Sequence, residues 1–169
     1  MKPLFLLSIC IIASGCISVP PTVETEAQVT EVVDGDTAML KFDNRTEEVR
    51  FRGIDTPETN TANSPREFEG VPDSETGREC LSDWGENASA FVKSRIAGEK
   101  VTLEYSPLPY FKRGSYGRLL GTIHYNDTDL NRELVKEGYG RMYGEDGAYH
   151  EEEIEAKLAV KGVWSCQGA

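Results

Sequence analysis

Basic residues are scarce in this chain. Eighteen Lys and Arg stand against 29 Asp and Glu in 169 residues, a formal net charge of −11. Bulk charge therefore repels a polyanion, and binding to nucleic acid requires a local basic cluster or a bound cation. Histidine is rarer still. His124 and His150 are the two present, and neither has a Cys or His partner at metal-ligand spacing. No apolar run is long enough to span a bilayer as a helix, and no internal repeat is present, which excludes a repeat architecture. Apolar residues make up 38% and charged residues 28%, a composition that fits one ordinary globular domain.

Cysteine is also sparse, with four residues. The apolar stretch from Leu4 to Ile12 follows Lys2 and precedes Ala13-Ser14-Gly15, so residues 1–15 read as a secretory signal peptide. Small residues ahead of Cys16 resemble a lipoprotein cleavage site, which makes Cys16 a candidate for lipidation and membrane anchoring. A plain signal peptide cut nearby is the alternative. Either way the protein is expected to be exported, to the cell surface by a lipid anchor or as a secreted form. Residues 16–27, with Pro20-Pro21, read as the lipid-attachment Cys and a tether. Residues 28–166 read as the folded domain and 167–169 as a tail. Cys10 falls in the signal, so Cys80 and Cys166 remain, and in an exported protein two such residues favour a disulfide over two unrelated thiols.

What is abundant is strand patterning. Val29 to Val33 is β-branched and ends at Asp34-Gly35, a turn signal. Ala38, Leu40 and Phe42 alternate, and Asp43-Asn44 makes the next turn. Glu48 to Ile54 reads as a third strand, with Arg50, Arg52 and Ile54 on one face. Thr59 to Glu79 is an acidic stretch without periodicity, read as a solvated loop or a second cation site. Leu81, Trp84, Ala88, Phe91, Val92 and Ile96 recur at helical spacing. Val101 to Tyr105 and Arg118 to Tyr125 are two further strands. A helix follows Asp129, stopped by Gly138, and a last one runs from Tyr149 to Lys161 with Ile154 and Leu158 as its apolar stripe. These elements predict an α+β fold, a five-stranded OB-fold-like β-barrel with about three α-helices.

Two acidic clusters stand at strand ends: Asp34-Gly35-Asp36-Thr37 and Asp55-Thr56-Pro57-Glu58. Their hard oxygens suit Ca²⁺ or Mg²⁺. Arg50 precedes the second cluster on the same strand, and Arg118 follows Tyr116-Gly117. Guanidinium groups clamp phosphate oxygens bidentately. Two arginines, a metal and a carboxylate base are the components of phosphodiester hydrolysis.

The run Val33-Asp34-Gly35-Asp36-Thr37, then Arg50-Phe51-Arg52-Gly53-Ile54-Asp55-Thr56-Pro57-Glu58, then Tyr116-Gly117-Arg118 resembles the staphylococcal nuclease (thermonuclease) family. The likeness continues through Asn131 to Gly138 and closes at Gly162-Val163-Trp164-Ser165. It implies a calcium-dependent nuclease hydrolysing DNA and RNA to 3′-phosphate products, acting as a monomer. Asp36 and Asp55 would bind Ca²⁺ through carboxylates and Thr56 through its carbonyl. Glu58 would be the general base, Arg50 and Arg118 would stabilise the transition state, and Tyr116 would contact the substrate. Gly114-Ser115 depart from the Asp and Lys that relatives often carry there, and a family tyrosine falls near Tyr143 or Gly144. The competing reading is a non-catalytic nucleic-acid-binding or Ca²⁺-binding surface module on the same fold. Such a module would not need Arg50, Glu58 and Arg118 together. Asn44, Asn87 and Asn126 each open an N-glycosylation pattern.

Overall fold

The computed structural model describes residues 21–59, 63–109, 113–114, 116–144 and 147–169. The signal segment, Cys10, the lipidation candidate Cys16 and Ser115 lie outside the described residues. The elements are β1 (Val23–Val32), β2 (Thr37–Phe42), β3 (Arg45–Phe51), β4 (Ile54–Asp55), α1 (Glu75–Ile96), β5 (Lys100–Tyr105), β6 (Leu119–Tyr125), β7 (Thr128–Asp129), α2 (Leu130–Lys136), β8 (Arg141–Met142) and α3 (His150–Leu158).

Five of these strands close a barrel. Antiparallel pairing runs β3–β2–β1–β5–β6, and a parallel pairing of β3 with β6 completes the circle. This is the predicted five-stranded OB-like barrel with helices packed outside it. The two-residue turn Asp43-Asn44 has φ of 49° and 58°, and Asn126-Asp127 has φ of 48° and 61°. Both are hairpin turns of the kind that Asn and Asp tolerate. Turn chemistry thus accounts for Asn44 and Asn126.

β1 starts earlier than expected. Val23 pairs with Tyr105 and Ala27 with Val101, so residues 23–27 belong to the sheet and not to a tether. Alternation carries this segment, with the Glu side chains outward; Glu26 meets Lys100 at 2.7 Å. A register shift between Val29 and Glu31 then keeps Val32 facing the core. The third strand also departs from expectation. It ends at Phe51, and the chain turns at Gly53, whose φ is +78°. The turn sends Ile54 into the core, 1% exposed, away from the face carrying Arg50.

α1 is capped by Ser74, whose Oγ accepts from the Gly77 N–H at 3.0 Å. Leu81, Ala88, Val92 and Ile96 are fully buried, as the spacing predicts. Trp84 is only half-buried, and its Nε1–H donates to Ser165 Oγ at 3.3 Å.

The 59–79 stretch is not simply a solvated loop. Phe68 and Val71 are buried with Leu81, Trp164 and Cys166 in a small second core. Several of its charges are paired: Asp73 with Arg66 and Arg78, and Glu69 with Lys157 of α3. That pairing does not favour the second cation site. Cys80 and Cys166 are joined by a disulfide, with Cα atoms 5.8 Å apart and a sequence separation of 86. In the chain-entropy picture a loop of that length contributes roughly 4–5 kcal/mol. Reduction should therefore lower Tm by well over 5 °C and expose 59–79 to proteolysis. An unchanged Tm in excess reductant, with both thiols alkylated, would contradict this.

The predicted apolar stripe of α3 faces water. Ile154 is 42% and Leu158 81% exposed, whereas Glu153 and Ala156 are buried. The helix docks through Tyr149, Glu153 and Ala156, one ridge at i, i+4 and i+7. Glu153 is tolerated there because its Oε1 accepts from the Met142 N–H at 3.3 Å and its Oε2 lies 3.6 Å from Lys157 Nζ.

Candidate active site

The β1–β2 turn builds the first wall of the site. Asp34 Oδ1 accepts from the Asp36 N–H at 3.0 Å, and Val33 N–H reaches Thr37 O at 2.9 Å. The turn aims Asp36 inward, where it is 1% exposed. Gly35 permits this fit, because a Cβ there would lie 2.7 Å from both Ala88 Cβ and Thr56 Oγ1. Asp36 Oδ2 accepts from the Thr56 N–H at 2.9 Å and from Thr56 Oγ1 at 3.2 Å. Its Oδ1 accepts from Thr37 Oγ1 at 3.0 Å. The two acidic clusters, far apart in sequence, are thereby tied together.

Arg50 lies between them. Its Nη1 donates to Asp36 Oδ1 and its Nη2 to Asp55 Oδ1. A second arginine braces Asp55 from β8: Arg141 Nε donates to Asp55 Oδ2 at 3.1 Å, with Nη2 at 2.8 Å from the same oxygen. The β4–β8 pairing of Asp55 with Arg141 sets this contact. Arg141 was not among the residues singled out by the sequence reading. No motif marks it; only in the fold does the neighbouring Gly140 come close to Asp55, where a Cβ would lie 2.6 Å from Asp55 O.

These groups open onto a cleft of about 540 Å³. Arg50, Arg52, Arg118 and Arg141 line it, with Asp55 and Glu58. The local basic cluster that an acidic protein needs is thus assembled from β3, β8 and the segment before β6. Arg118 Nη1 donates to Thr37 Oγ1 at 3.3 Å, which ties it to the Asp36 turn. Two exposed tyrosines also line the cleft: Tyr116, 86% exposed, and Tyr143, 58% exposed. Arg118 lies 5.8 Å from the Tyr116 ring centre and Arg141 5.3 Å from that of Tyr143. All the sequence-predicted catalytic, metal and substrate residues therefore converge on one site, Tyr116 at its rim.

Burial pushes the Asp36 carboxyl up from 3.8 to about 7, and Arg50 opposes the shift without cancelling it. Partial desolvation and the nearby Asp34 and Asp55 charges raise Glu58, against the pull of Arg50 and Arg118. A raised carboxylate is a better proton acceptor. For Asp36 the fold keeps a proton that the unfolded chain has already released. Its stabilising contribution is complete below pH 3.8, declines above it, and is lost as pH rises through about 7. Urea titrations of the metal-free protein should show this decline, and Asp36→Asn should flatten it. A decline of the same size in the variant would rule Asp36 out as the cause.

Asp36 and Asp55 converge on one guanidinium, so their carboxylates already share a cation. The nearby donors are all oxygen, which suits a hard ion. Among the described residues no group of three or more His, Cys, Asp and Glu is arranged for a metal. The carboxylate oxygens of Asp36 and Asp55 are donors of the kind that suits a hard ion.

A family model described as "Staphylococcal nuclease homologue" matches residues 48–166. The chain belongs to the staphylococcal nuclease family. Asp34 and Asp36 lie upstream of the matched segment, and the fold ties Asp36 to Thr56 within it. An uncharacterized protein of Methanocaldococcus jannaschii is 32% identical over 150 residues, covering 82% of this chain and 70% of its own length. A thermonuclease of Staphylococcus hyicus is 30% identical over 148 residues, covering 84% and 77%. A thermonuclease of Staphylococcus intermedius is 34% identical over 113 residues, 67% of this chain and 56% of that protein.

Proposed function

We propose that this chain is an exported, calcium-dependent nuclease that hydrolyses DNA and RNA to 3′-phosphate products. The observation that carries the reading is the convergence of Asp36, Asp55, Arg50, Arg118 and Glu58 on one cleft. Asp36, Asp55 and the Thr56 carbonyl would hold Ca²⁺, which when bound neutralises phosphate charge and favours a deprotonated water. Glu58 takes a proton from the attacking water. The water oxygen bonds to phosphorus, the bond to the 5′ oxygen breaks, and that oxygen leaves as a 5′-hydroxyl after gaining a proton. Arg50 and Arg118 face the negative charge that grows on the phosphoryl oxygens. Arg141 holds Asp55 in place. Tyr116 and Tyr143 offer rings on which bases can stack. Retention of Arg50, Glu58 and Arg118 together favours catalysis over a non-catalytic binding module.

The deciding assay is cleavage of single-stranded DNA by the oxidised protein with Ca²⁺, with Mg²⁺ and with chelator. Ca²⁺ should support turnover, Mg²⁺ should support it poorly, and chelator should abolish it. No cleavage with any divalent ion would leave the binding-module reading.

The same proposal includes a lipid anchor at Cys16 and a monomeric catalytic domain. Because β1 begins at Val23, the segment linking Cys16 to the barrel is short, and the site would be held near the membrane. Cys16→Ser should release the protein from the membrane fraction. Finding the wild type wholly in the medium with an unmodified N-terminus would favour the plain signal peptide.

A further inference from the structure

We propose that Asn63, in the acidic stretch after the second cluster, is a positioning residue for the general base Glu58. The inference rests on the nuclease reading of Glu58. Asn63 is polar yet 6% exposed. Its Oδ1 accepts from the Glu58 N–H at 2.8 Å, and its Nδ2 donates to the Glu58 carbonyl at 3.0 Å. One carboxamide thus satisfies both main-chain groups of a single residue, as a facing strand residue would. The second Nδ2 proton goes to Ser82 Oγ on α1 at 3.1 Å. Both amide protons and one oxygen lone pair are therefore used. No other residue type of this size offers a donor and an acceptor side by side.

α1 also packs against the Glu58 main chain. A Cβ at Gly85 would lie 2.6 Å from Pro57 O and 2.8 Å from Glu58 O, so the helix backbone runs directly against this segment. Ser82 and Gly85 are one turn apart on the same helix face. The main chain of the base is held by Asn63 and packed against α1, while its side chain remains open to the cleft. Asn63 is itself held from downstream. The one-turn helix Pro65–Glu67 leads directly into Phe68 and Val71, which are buried beside the Cys80–Cys166 disulfide. The stretch that looked like solvated loop thus braces the base against the barrel.

Reacting groups misplaced by about 1 Å lose on the order of 10²-fold in rate. Asn63→Ala should lower kcat on DNA by roughly 10–100-fold while KM moves less than about twofold. Amide exchange at Glu58 should accelerate, with the α1 amides unchanged. In the Glu58→Gln background, adding Asn63→Ala should cost little further, because the residue acts through the base. Asn63→Asp keeps volume and the acceptor for the Glu58 N–H but loses the donor to its carbonyl, so its kcat should fall between wild type and Asn63→Ala. If Asn63→Ala does not fold, Asn63→Asp and its Glu58 exchange rate decide the question alone. Wild-type kcat in whichever variant folds, or an undiminished further loss in the Glu58→Gln background, would overturn the proposal. Absence of cleavage by the wild type would instead overturn the nuclease reading.

Discussion

Glu58→Gln should lower kcat by roughly 10²–10⁴, the range spanned by general-base catalysis, with KM and Ca²⁺ affinity nearly unchanged. Three features set this expectation. Glu58 is open to the cleft, so it can reach a water held there. Partial desolvation and the neighbouring Asp34 and Asp55 raise its carboxyl, which strengthens it as a base. It makes none of the hydrogen bonds that tie the Asp36 turn to Thr56, so its loss leaves in place the carboxylates proposed to bind the metal. Glutamine keeps the shape and removes only the proton-accepting charge. Near-wild-type turnover in Glu58→Gln would show that another group takes the proton. The wild-type rate should also fall on the acidic side as Glu58 protonates. Glu58→Gln should lose that limb.

Arg50→Ala should cost roughly 10²–10³ in kcat, comparable to removing a transition-state donor elsewhere, and Arg50→Lys should recover little of it. One planar group meets both Asp36 Oδ1 and Asp55 Oδ1 through separate nitrogens. A lysine presents a single point and cannot span the two carboxylates or fork onto a phosphate. Removing Arg50 also leaves Asp36, nearly buried, without its counter-charge, so the metal-free variant should be less stable than wild type above pH 7. Ca²⁺ should return part of that stability, since it supplies the missing positive charge. Lys100→Ala is a suitable control, because Lys100 makes an exposed ion pair with Glu26 outside the cleft and should leave kcat unchanged. Full activity of Arg50→Lys would mean that charge alone, and not the planar fork, is what the site requires.

Local chemistry was legible in the sequence wherever neighbours along the chain decide the outcome. The alternation of Ala38, Leu40 and Phe42, the turns at Asp34-Gly35 and Asp43-Asn44, and the spacing of Leu81, Ala88, Val92 and Ile96 all report on faces of single elements. The residues proposed as catalytic were legible for another reason: they sit in short contiguous runs at strand ends, where a motif resembling the family's can be read without knowing the fold. What the sequence could not decide was which face each element turns to its partners. Ile154 and Leu158 look like a buried stripe, yet α3 docks through Tyr149, Glu153 and Ala156, because a short helix takes the face its neighbours complete. Residues 23–27 look like a tether until β5 supplies the main-chain partners that make them a strand. Arg141 and Asn63 carry no motif, and their importance comes only from being folded against Asp55 and Glu58. Periodicity and turn chemistry pointed to the barrel and its helices, and the motifs that resemble the staphylococcal nuclease family pointed to the chemical parts of the site. Only the tertiary structure placed those parts within hydrogen-bond reach and recruited the side chains that hold them, because contacts between distant segments depend on barrel closure, which no local pattern encodes.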